Sequence, residues 1–539
     1  MKKEDSSTNP SSLDESETRE PRLLRSAGAI GVVTLLSRVT GLLREQCQAF
    51  FLGAGPTADA FRIAFLVPNL FRRFVGEGAM TAGLVPVLTG YVRKGDRESL
   101  VELIEKFFTL WTLILIVVTV LGMLLAGTVL AVWPVDPGAW DPAKLELASD
   151  LMWWLFFYLG LVSLSAVGQA VLNAFGIFAL PSATPLLFNL AFIAAGYGLQ
   201  FVFPGPSAVW SFVIGILVGG VLQCAMLVPS LWKRGVRFRP RWPTAHPGLR
   251  ESFSLLVKGT FGAGIYQINV FVSVLIAMSI PLEGAVSSLG YSSRLMEFVL
   301  GVFVFGLSTV GLTAMSRHVA SEDREGLRVT TSKLLRLTFF ISLPSTAGLL
   351  ILARPIVDLI LRFGAFDGAA ADLTLRAFYL HAPGLVFVGM SRSLTNVFYA
   401  FREVGVVVRA GFVNLVVNLA LCLWLSRTAL EHGGIALASS IAAVVQAVVL
   451  VVVLQRRKKI LLPRELIVSA FKTVLATAVM AAVCYWLSGY VNAAQGKIEL
   501  GLWTGATILI SAAIFFGVAW LLGGAEVRTV LRVLRRRRG

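Results

Sequence analysis

The stretch that decides the fold reads SRVTGLLREQ at residues 37–46 and ADAFRIAFLVPNLFRRFVGEGAM at residues 58–80. Both segments are apolar enough to lie in a membrane, yet they carry charged side chains at Arg38, Arg44, Glu45, Asp59, Arg62, Arg72, Arg73 and Glu77. One Arg at the centre of a spanning helix costs about 3 kcal/mol on insertion scales, so such charges persist where they face a wet interior or a partner. The pattern therefore predicts a pathway for an anion through a membrane.

The composition of the whole chain is that of a polytopic membrane protein. Of its 539 residues 56% are hydrophobic and 15% are charged, and the mean hydropathy is +0.77. The four cysteines lie apart in apolar segments without CxxC spacing, which indicates neither a disulfide framework nor a zinc site. The sequence contains no GxxxxGK[ST], HExxH or GxSxG pattern. We therefore expect a transporter rather than an enzyme, with no cofactor and no metal.

The net charge of +17 has a membrane explanation. The basic residues cluster in short loops between apolar segments and in the tail at 532–538, where they contact anionic lipid and set topology. We therefore expect membrane lipids, and not nucleic acid, as partners of these charges.

Apolar windows of about 20 residues predict fourteen transmembrane helices. They lie near residues 27–51, 58–92, 106–133, 150–178, 182–203, 207–231, 252–279, 284–317, 332–362, 371–400, 405–427, 434–455, 466–490 and 500–523. Basic loops alternate with charge-poor or acidic ones, which places the basic loops and both termini in the cytoplasm. The fold class we predict is an all-α polytopic membrane protein.

The chain also repeats itself at a spacing of about 225 residues. Asp96–Leu100 recurs at Asp323–Leu327, and Leu172-Asn173 corresponds to Thr395-Asn396. Gln223 likewise corresponds to Gln446, and Asn189 to Asn414. Because the spacing holds an even number of helices, the two halves have the same orientation, and a central cavity is expected between them.

These features divide the chain into six parts. Residues 1–25 are predicted as a disordered cytoplasmic tail, 26–232 as a six-helix N-lobe, 233–250 as a basic cytoplasmic linker, 251–460 as a six-helix C-lobe, 461–525 as an appended helix pair and 526–539 as a basic cytoplasmic tail.

The charges inside helices 1, 2, 7 and 8 do not cancel. Seven cations (Arg38, Arg44, Arg62, Arg72, Arg73, Lys258 and Arg294) face four anions (Glu45, Asp59, Glu77 and Glu297), an excess of +3. Spacing of three or four residues predicts local pairs between Asp59 and Arg62, Arg73 and Glu77, and Arg294 and Glu297. A phosphate-bearing substrate would supply the missing negative charge, since Arg binds phosphate through two hydrogen bonds.

Several of these charges also have a purely structural explanation. Arg72, Arg73 and Lys258 are as readily explained by snorkelling to the headgroups, and Arg44-Glu45 by a local ion pair. In helix 10 the side chains of His381, Arg376 and Arg392 are more often structural than functional. Asn414 and Asn418, one turn apart in helix 11, present two amides whose common use is hydrogen bonding between helices.

Three segments carry a resemblance to a known family. They are Ser37–Val39 with Gly41 and Arg44 in helix 1, Ala58–Phe61 with Pro68–Phe74 and Glu77–Ala79 in helix 2, and Tyr291–Phe298 in helix 8. These segments closely resemble the MurJ (MviN) family of lipid II flippases, and the resemblance covers about residues 25–525. The helix count, the two lobes and the length are similar too.

The resemblance implies the multidrug/oligosaccharidyl-lipid/polysaccharide (MOP) exporter fold in the bacterial inner membrane. It implies transport of lipid II, an undecaprenyl-diphosphate-linked disaccharide-peptide, from the cytoplasmic to the periplasmic leaflet for peptidoglycan synthesis. By analogy the arginines hold the diphosphate, and helices 13 and 14 form a groove for the polyprenyl tail. The substrate-binding residues expected on this basis are Arg38, Arg44, Asp59, Arg72, Arg73, Glu77, Arg294 and Glu297.

The driving force is less clearly marked in the sequence. Some relatives are thought to hold sodium with a carboxylate among helices 7, 11 and 12, whereas here the positions Asn269, Asn414 and Asn418 are amides. A membrane potential acting on the cationic cavity is the alternative, because one charge moved through 100 mV is worth about 2.3 kcal/mol. We expect the two lobes to rock while helix 2 bends at Pro68-Asn69 or at Gly76–Gly78.

Three other functions compete with this one. A flippase for another undecaprenyl-diphosphate-linked glycan, of the O-antigen or exopolysaccharide type, handles the same diphosphate, and only the motifs in helices 1, 2 and 8 argue against it. A MATE-like antiporter would need a site dominated by carboxylates or aromatic rings. A membrane scaffold would not need arginines within the membrane.

Overall fold

A computed structural model describes residues 11–72, 78–132, 140–458, 464–494 and 496–529, and every regular element in these ranges is helical. The first seven α-helices are α1 (Ser11–Leu52), α2 (Pro56–Arg72), α3 (Gly78–Lys94), α4 (Arg97–Val132), α5 (Pro142–Ala174), α6 (Ala179–Gly198) and α7 (Val209–Trp232). The next five are α8 (Pro247–Met278), α9 (Ala285–Ala320), α10 (Arg324–Ile351), α11 (Ala353–Ile360) and α12 (Gly368–His381). The last five are α13 (Gly384–Ala400), α14 (Val404–Leu425), α15 (His432–Lys458), α16 (Arg464–Asn492) and α17 (Lys497–Leu521).

Acidic side chains define where several helices begin. Asp141 accepts a hydrogen bond from the backbone of Ala143 at the start of α5, where Pro142 occupies the first helical position. Asp323 and Asp367 cap α10 and α12 in the same way. Such caps satisfy backbone N–H groups that have no partner within the helix and complement the positive end of its dipole.

The N-lobe is built on α5, which packs against α2, α4 and α7, while α6 packs against α1 and α7. Rings from three of these helices meet in its core, where Phe192 stacks on Phe212 at 4.8 Å and Phe61 lies 6.0 Å from Phe212. Close helix contact depends on small residues, because a side chain on Gly215 would collide with the backbone of Phe192.

The C-lobe has a corresponding arrangement around α9, which packs against α10, α12 and α13, while α14 packs against α8 and α15. Helix α8 belongs to both lobes. Its first half contributes Leu249 and Leu256 to an N-lobe core and packs against α3, whereas its second half packs against α14. The linker therefore leads into a helix that joins the lobes directly.

The appended pair α16 and α17 packs mainly against α10. A buried carboxylate of the segment after α17, Glu526, binds Arg336 of α10 at 2.5 Å and accepts a hydrogen bond from Ser469 of α16 at 2.9 Å. The pair is thus fixed to the C-lobe by a polar contact as well as by apolar packing.

The structure differs from the predicted domain boundaries at the N-terminus. Helix α1 begins at Ser11, within the range 1–25 that is predicted as a disordered tail, and residues 1–10 lie outside the described ranges. The sequence from Ser11 to Arg25 is rich in Glu, Arg and Leu, which favour helix, and Glu15 and Arg19 have the spacing of a stabilising pair. The linker is also shorter than predicted, since α8 begins at Pro247.

Two of the predicted helices are each divided in two. Predicted helix 2 is described as α2 and α3, on either side of residues 73–77, which lie outside the described ranges; α2 continues through Pro68. Helix 9 consists of α10 and α11. Predicted helix 10 is bent by 47° between α12 and α13, at the position of Pro383. Proline has no backbone N–H, so it cannot continue the hydrogen bonding of α12.

Each of the fourteen predicted segments corresponds to one helix or to two consecutive helices. Length and apolar composition identify fewer of these helices as membrane spans. Within the described residues nine helices are long and apolar enough to cross a membrane, or ten if α12 and α13 form one span.

The two lobes are joined at the end that holds the charge-poor loops. The backbone N–H of Ala365 donates to the carbonyl of Phe50 at 2.7 Å, and the Tyr291 hydroxyl donates to the carbonyl of Gly53 at 2.9 Å. Gly53 has a positive φ of 62°, and a Cβ there would lie 2.5 Å from the carbonyl oxygen of Ala365. We call this contact of residues 50–59 with residues 284–291 and 365 the interlobe clasp.

Candidate functional site

Two adjoining cavities lie between the lobes. The first has a volume of about 750 Å³ and is lined by residues of α1, α2, α6 and α7 on one side and of α8, α9 and α12–α15 on the other. The second, of about 540 Å³, extends into the N-lobe. They share lining residues, among them Arg44, Asn69, Arg294, Glu297 and Arg392. The structure thus has the central cavity that the repeat predicts.

One carboxylate, Glu45 of α1, binds three guanidinium groups at the first cavity. Its Oε1 accepts from Arg44 at 3.0 Å and from Arg294 at 3.3 Å, and its Oε2 accepts from Arg62 at 3.1 Å. Only 4% of Glu45 is exposed. The three arginines come from α1, α2 and α9, so this contact connects the lobes at the centre of the molecule.

Aromatic rings fix two of these arginines. The Arg62 guanidinium lies 4.2 Å from the centre of the Tyr291 ring, and that of Arg44 lies 5.8 Å from Phe188 and 5.6 Å from Phe192. A cation over a ring face is attracted by the ring quadrupole, so these rings hold the positive charges in a site of low polarity.

Arg294 is the more accessible member of this group. Its Nη1 donates to Glu297 at 2.8 Å, which confirms the predicted pair one turn apart on α9. Its side chain is 39% exposed and that of Glu297 is 42% exposed. The predicted pair Arg44-Glu45 is confirmed as well.

Arg38 and Arg72 line the second cavity. Arg38 packs against the backbone of α9, because a Cβ on Gly301 would overlap its guanidinium. The Nε of Arg72 donates to the side-chain oxygen of Asn69 at 2.9 Å. Arg38 therefore contacts the opposite lobe, whereas Arg72 is bound within its own helix.

The structure places Asp59 in the interlobe clasp, and Asp59 is not among the residues that line these two cavities. Its carboxylate accepts from the backbone N–H groups of Gly284 at 2.9 Å and Ser287 at 2.8 Å, and it binds Lys144 at 3.0 Å. It thus caps the first turn of α9 from the other lobe. The predicted pair of Asp59 with Arg62 is wrong, because a helix N-terminus attracts the carboxylate more directly than a side chain one turn away.

Three other predicted charges cannot be placed. Arg73 and Glu77 lie outside the described residues, as does the side chain of Lys258. Their predicted contacts, including the Arg73–Glu77 pair, stay predictions.

Sequence reasoning left two lining arginines out of the predicted set. Arg62, predicted as one of the seven cations and as a partner of Asp59, lines the first cavity, and Arg392 of α13, predicted as structural, lines both cavities. The signal for Arg62 is its position three residues after Asp59, in a predicted transmembrane helix. For Arg392 the signal is likewise a charge within a predicted transmembrane helix.

The charge of the lining is strongly positive. Among the described lining residues of both cavities there are six arginines (Arg38, Arg44, Arg62, Arg72, Arg294 and Arg392) and two carboxylates (Glu45 and Glu297). Chemically, such a lining can bind an anion with several charges through bidentate hydrogen bonds.

The amides of α8 and α14 bind one another. Asn269 donates to Asn414 at 3.2 Å, and Asn418 donates to Asn269 at 2.9 Å and to the hydroxyl of Ser273 at 2.8 Å. Ser439 of α15 completes the network by donating to Asn418 at 3.3 Å. Within the described part of the chain no group of three or more His, Cys, Asp and Glu residues is arranged to hold a metal ion.

Comparison with known proteins gives consistent matches. A family model described as "Lipid II flippase MurJ" matches residues 48–502. A probable lipid II flippase MurJ of Haemophilus influenzae is 32% identical over 518 residues, which are 93% of this chain and 99% of the relative. The corresponding protein of Vibrio cholerae is 31% identical over 478 residues, which are 87% of this chain and 90% of the relative.

Solved structures agree on the fold. A lipid II flippase MurJ in an inward closed conformation matches with a TM-score of 0.77 at 22% identity, over 93% of this chain and 99% of that one. An inward-facing multidrug resistance MATE family transporter of the MOP superfamily matches with a TM-score of 0.66 at 15% identity, over 80% and 98% of the two chains. At these identities the structural matches show a shared fold alone.

Proposed function

The chain belongs to the MurJ family of lipid II flippases, and from this premise we propose that it moves lipid II across the bacterial inner membrane. It is accordingly a transporter and not an enzyme. The single observation that carries the proposed mechanism is the lining of six arginines and two carboxylates between two lobes. A diphosphate brings the negative charge that this lining lacks.

The proposed binding site is centred on Arg44, Arg62 and Arg294. Glu45 holds these three guanidinium groups together, so their donors are oriented before the substrate arrives. Donors oriented in this way suit an anion with several charged oxygens, such as a diphosphate. Arg38, Arg72 and Arg392 extend the cationic surface into the second cavity.

Transport proceeds, in this proposal, from the cytoplasmic to the periplasmic leaflet by alternating access. The basic loops and both termini lie in the cytoplasm, which puts the interlobe clasp at the periplasmic end. The clasp closes that end of the cavity, and its opening requires α9 to leave Asp59 and Tyr291 to leave Gly53. The polyprenyl tail stays in the bilayer, along the groove of α16 and α17.

The proposed driving force is the membrane potential. The amides Asn269, Asn414 and Asn418 satisfy one another and offer no carboxylate to a sodium ion. The charge of the cavity lining, in contrast, moves in the field when the lobes rock, and each elementary charge gains about 2.3 kcal/mol per 100 mV.

Two alternatives are less well supported. A flippase for another undecaprenyl-diphosphate-linked glycan fits the charge equally, but the family match favours lipid II. A MATE-like antiporter shares the fold, but a lining with a threefold excess of arginine over carboxylate disfavours a cationic drug.

The test is rescue of a bacterium depleted of its own lipid II flippase. The chain is expressed as wild type, Arg38→Ala, Arg294→Ala and Arg409→Ala at matched membrane levels; Arg409 is exposed on α14 and bonds to its own helix at Gly405, so its variant is the control. We expect rescue by the wild type and the control and lysis with the two cavity variants. Failure of a well-expressed wild type would contradict the lipid II assignment, and rescue by all four would contradict the cationic site.

A further inference from the structure

The second cavity contains a neutral recess in the N-lobe that the charges do not explain. Its lining includes three amides, Gln169 of α5, Asn189 of α6 and Gln223 of α7, and the rings of Tyr158 and Phe188. These five residues, which we call the amide recess, adjoin Arg38 and Arg44 in the lining of the same cavity.

The amides of the recess are buried and largely oriented by the fold. Asn189, which is 6% exposed, donates to the backbone carbonyl of Ser37 at 3.1 Å, and Gln223, which is 5% exposed, donates to the carbonyl of Thr184 at 3.0 Å. Gln169 donates to the hydroxyl of Ser165 at 3.2 Å. Each amide thus has its N–H₂ group engaged by its own lobe.

The Oε1 of Gln223 stands apart from this pattern. It is fully buried, and within the described part of the chain it accepts no hydrogen bond. A buried amide oxygen without a donor is costly, so it marks a place where a donor is expected. A hydroxyl or an amide N–H of a ligand in the cavity has the required chemistry.

The rings of the recess supply an apolar surface beside these amides. Tyr158 and Phe188 lie 5.3 Å apart with 33° between their planes. A few oriented polar groups next to aromatic faces are typical of a pocket that binds a small polar molecule. Sugars in particular combine hydroxyl and acetamido groups with an apolar ring face.

By the internal repeat, the recess has a counterpart in the other lobe, where the corresponding amide makes different hydrogen bonds. Gln223 and Asn189 correspond in sequence to Gln446 and Asn414, which line the first cavity from the C-lobe. There Asn414 accepts from Asn269 of α8, so its oxygen is used within the protein. In the N-lobe the amide N–H₂ of Asn189 donates to the backbone of α1, and the Oε1 of Gln223 accepts no hydrogen bond within the described residues.

We propose that the amide recess binds the glycan part of the substrate headgroup while the neighbouring arginines hold the diphosphate. This assignment rests on the proposed function, because it divides one cavity between two chemical parts of the same lipid. The glycan is bonded directly to the diphosphate, and the recess adjoins the arginines, since Phe188 lies 5.8 Å from Arg44 and Asn189 bonds to Ser37 beside Arg38. The recess therefore distinguishes a glycosylated lipid from a bare diphosphate lipid.

The experiment measures equilibrium binding of three lipids to the purified full-length chain: undecaprenyl diphosphate, undecaprenyl-diphosphate N-acetylglucosamine and lipid II. The variants are Gln223→Leu, Gln169→Leu and Arg294→Ala. Gln223→Leu keeps the side-chain volume, and Gln169→Leu leaves the contact of Gln223 with Thr184 intact. The matched control is Gln200→Leu, because Gln200 bonds to Gly196 at the end of α6 and is not among the residues that line the two cavities. Thermal unfolding verifies that each variant is folded.

We expect Gln223→Leu to weaken the binding of both glycosylated lipids about tenfold and to leave the binding of undecaprenyl diphosphate unchanged. A site built to bond a hydroxyl loses most affinity when that bond is removed. Gln169→Leu follows the same pattern, and Arg294→Ala weakens all three lipids. Equal weakening of the binding of all three lipids by Gln223→Leu, or of none, would overturn the recess, and a loss confined to lipid II would overturn recognition of the first sugar. Wild-type protein that binds none of the three would contradict the proposed function itself.

Discussion

At the scale of single residues, Glu45 has the largest effect on the cavity because three arginines depend on it. Glu45→Gln leaves Arg44, Arg62 and Arg294 close together with less counter-charge, and removal of one partner from a buried ionic contact costs about 3–5 kcal/mol. We expect a lower midpoint of thermal unfolding for the purified protein. We also expect inorganic pyrophosphate to raise that midpoint more in the variant than in the wild type.

The control for this experiment is Glu98→Gln, an exposed carboxylate in the first turn of α4. It tests the response to loss of one negative charge far from the cavity. Equal stabilisation of Glu45→Gln and wild type by pyrophosphate would contradict the view that Glu45 occupies an anion site.

Asp59 gives a second prediction at this scale. Asp59→Ala leaves Lys144 as a buried cation, with its side chain 9% exposed, and removes the cap of α9, so we expect a loss of about 3 kcal/mol. Lys144→Met in the same chain removes the unpaired charge, so the double variant is expected to be more stable than the sum of the single effects. Thermal unfolding of the two single variants and the double variant measures this coupling, and additive losses would contradict the ion pair.

At the scale of elements, the start of α8 depends on the protonation of His246. Its Nδ1 accepts a hydrogen bond from the backbone of Gly248 at 3.2 Å, and burial lowers the pKa of His246 below its ordinary value. The unfolded chain therefore binds the proton more tightly, and this contribution to stability is lost as the pH falls below about 6.5. His246→Asn keeps the cap without the titration.

We expect the unfolding midpoint of the wild type to fall by about 1–2 °C more than that of His246→Asn between pH 8 and pH 5.5, since a helix cap contributes about 1 kcal/mol. Scanning calorimetry of both proteins at the two pH values measures the difference. A parallel decline of the two would show that the cap does not depend on His246.

The contact between α8 and α14 leads to a prediction about ions. Because Asn269, Asn414 and Asn418 bond to one another, we expect replacement of sodium by potassium to leave the transport rate unchanged within about twofold. Reconstituted vesicles with a fluorescent lipid II measure this rate. A loss of transport in potassium would contradict the potential-driven mechanism and favour sodium coupling.

The elements also show how far sequence reasoning extends. Long apolar helices such as α5, α7 and α15 follow directly from hydropathy, because twenty apolar residues determine a span. The bend after His381 was missed because a Pro in a membrane helix has several outcomes, as the unbroken course of α2 through Pro68 shows. The partners of Asp59 could not be predicted either, since they lie 85 and 225 residues away along the chain.

At the scale of the whole molecule, the proposed alternating access requires the interlobe clasp to open in every transport cycle. Cysteines at Ala54 and Leu373 are suited to test this, because Ala54 belongs to the clasp and both residues lie beside its Gly284. We expect a short bifunctional thiol reagent to stop transport in the Ala54→Cys/Leu373→Cys chain and a cleavable version to restore it after reduction. The Ala54→Cys chain treated alike is the control, and undiminished transport after complete cross-linking would contradict alternating access.

The overall plan of two similar lobes around a cationic cavity could be predicted from the repeat and from the charges in helices 1, 2 and 8. The contacts of the individual charges could not be predicted, because residues of equal charge and similar depth in the membrane have different neighbours in three dimensions. Arg44 meets a carboxylate and two rings, Asp59 meets a helix terminus, and Arg392 reaches the cavity only through a bend.

The carboxylate of Glu45 has a further consequence for turnover. A carrier that binds its cargo too tightly releases it too slowly, and six arginines facing a diphosphate would create that difficulty. Glu45 already occupies donors of three of them, so in the proposed mechanism an arriving diphosphate would have to compete with an internal carboxylate for these donors. Such competition would lower the affinity for the diphosphate and favour its release.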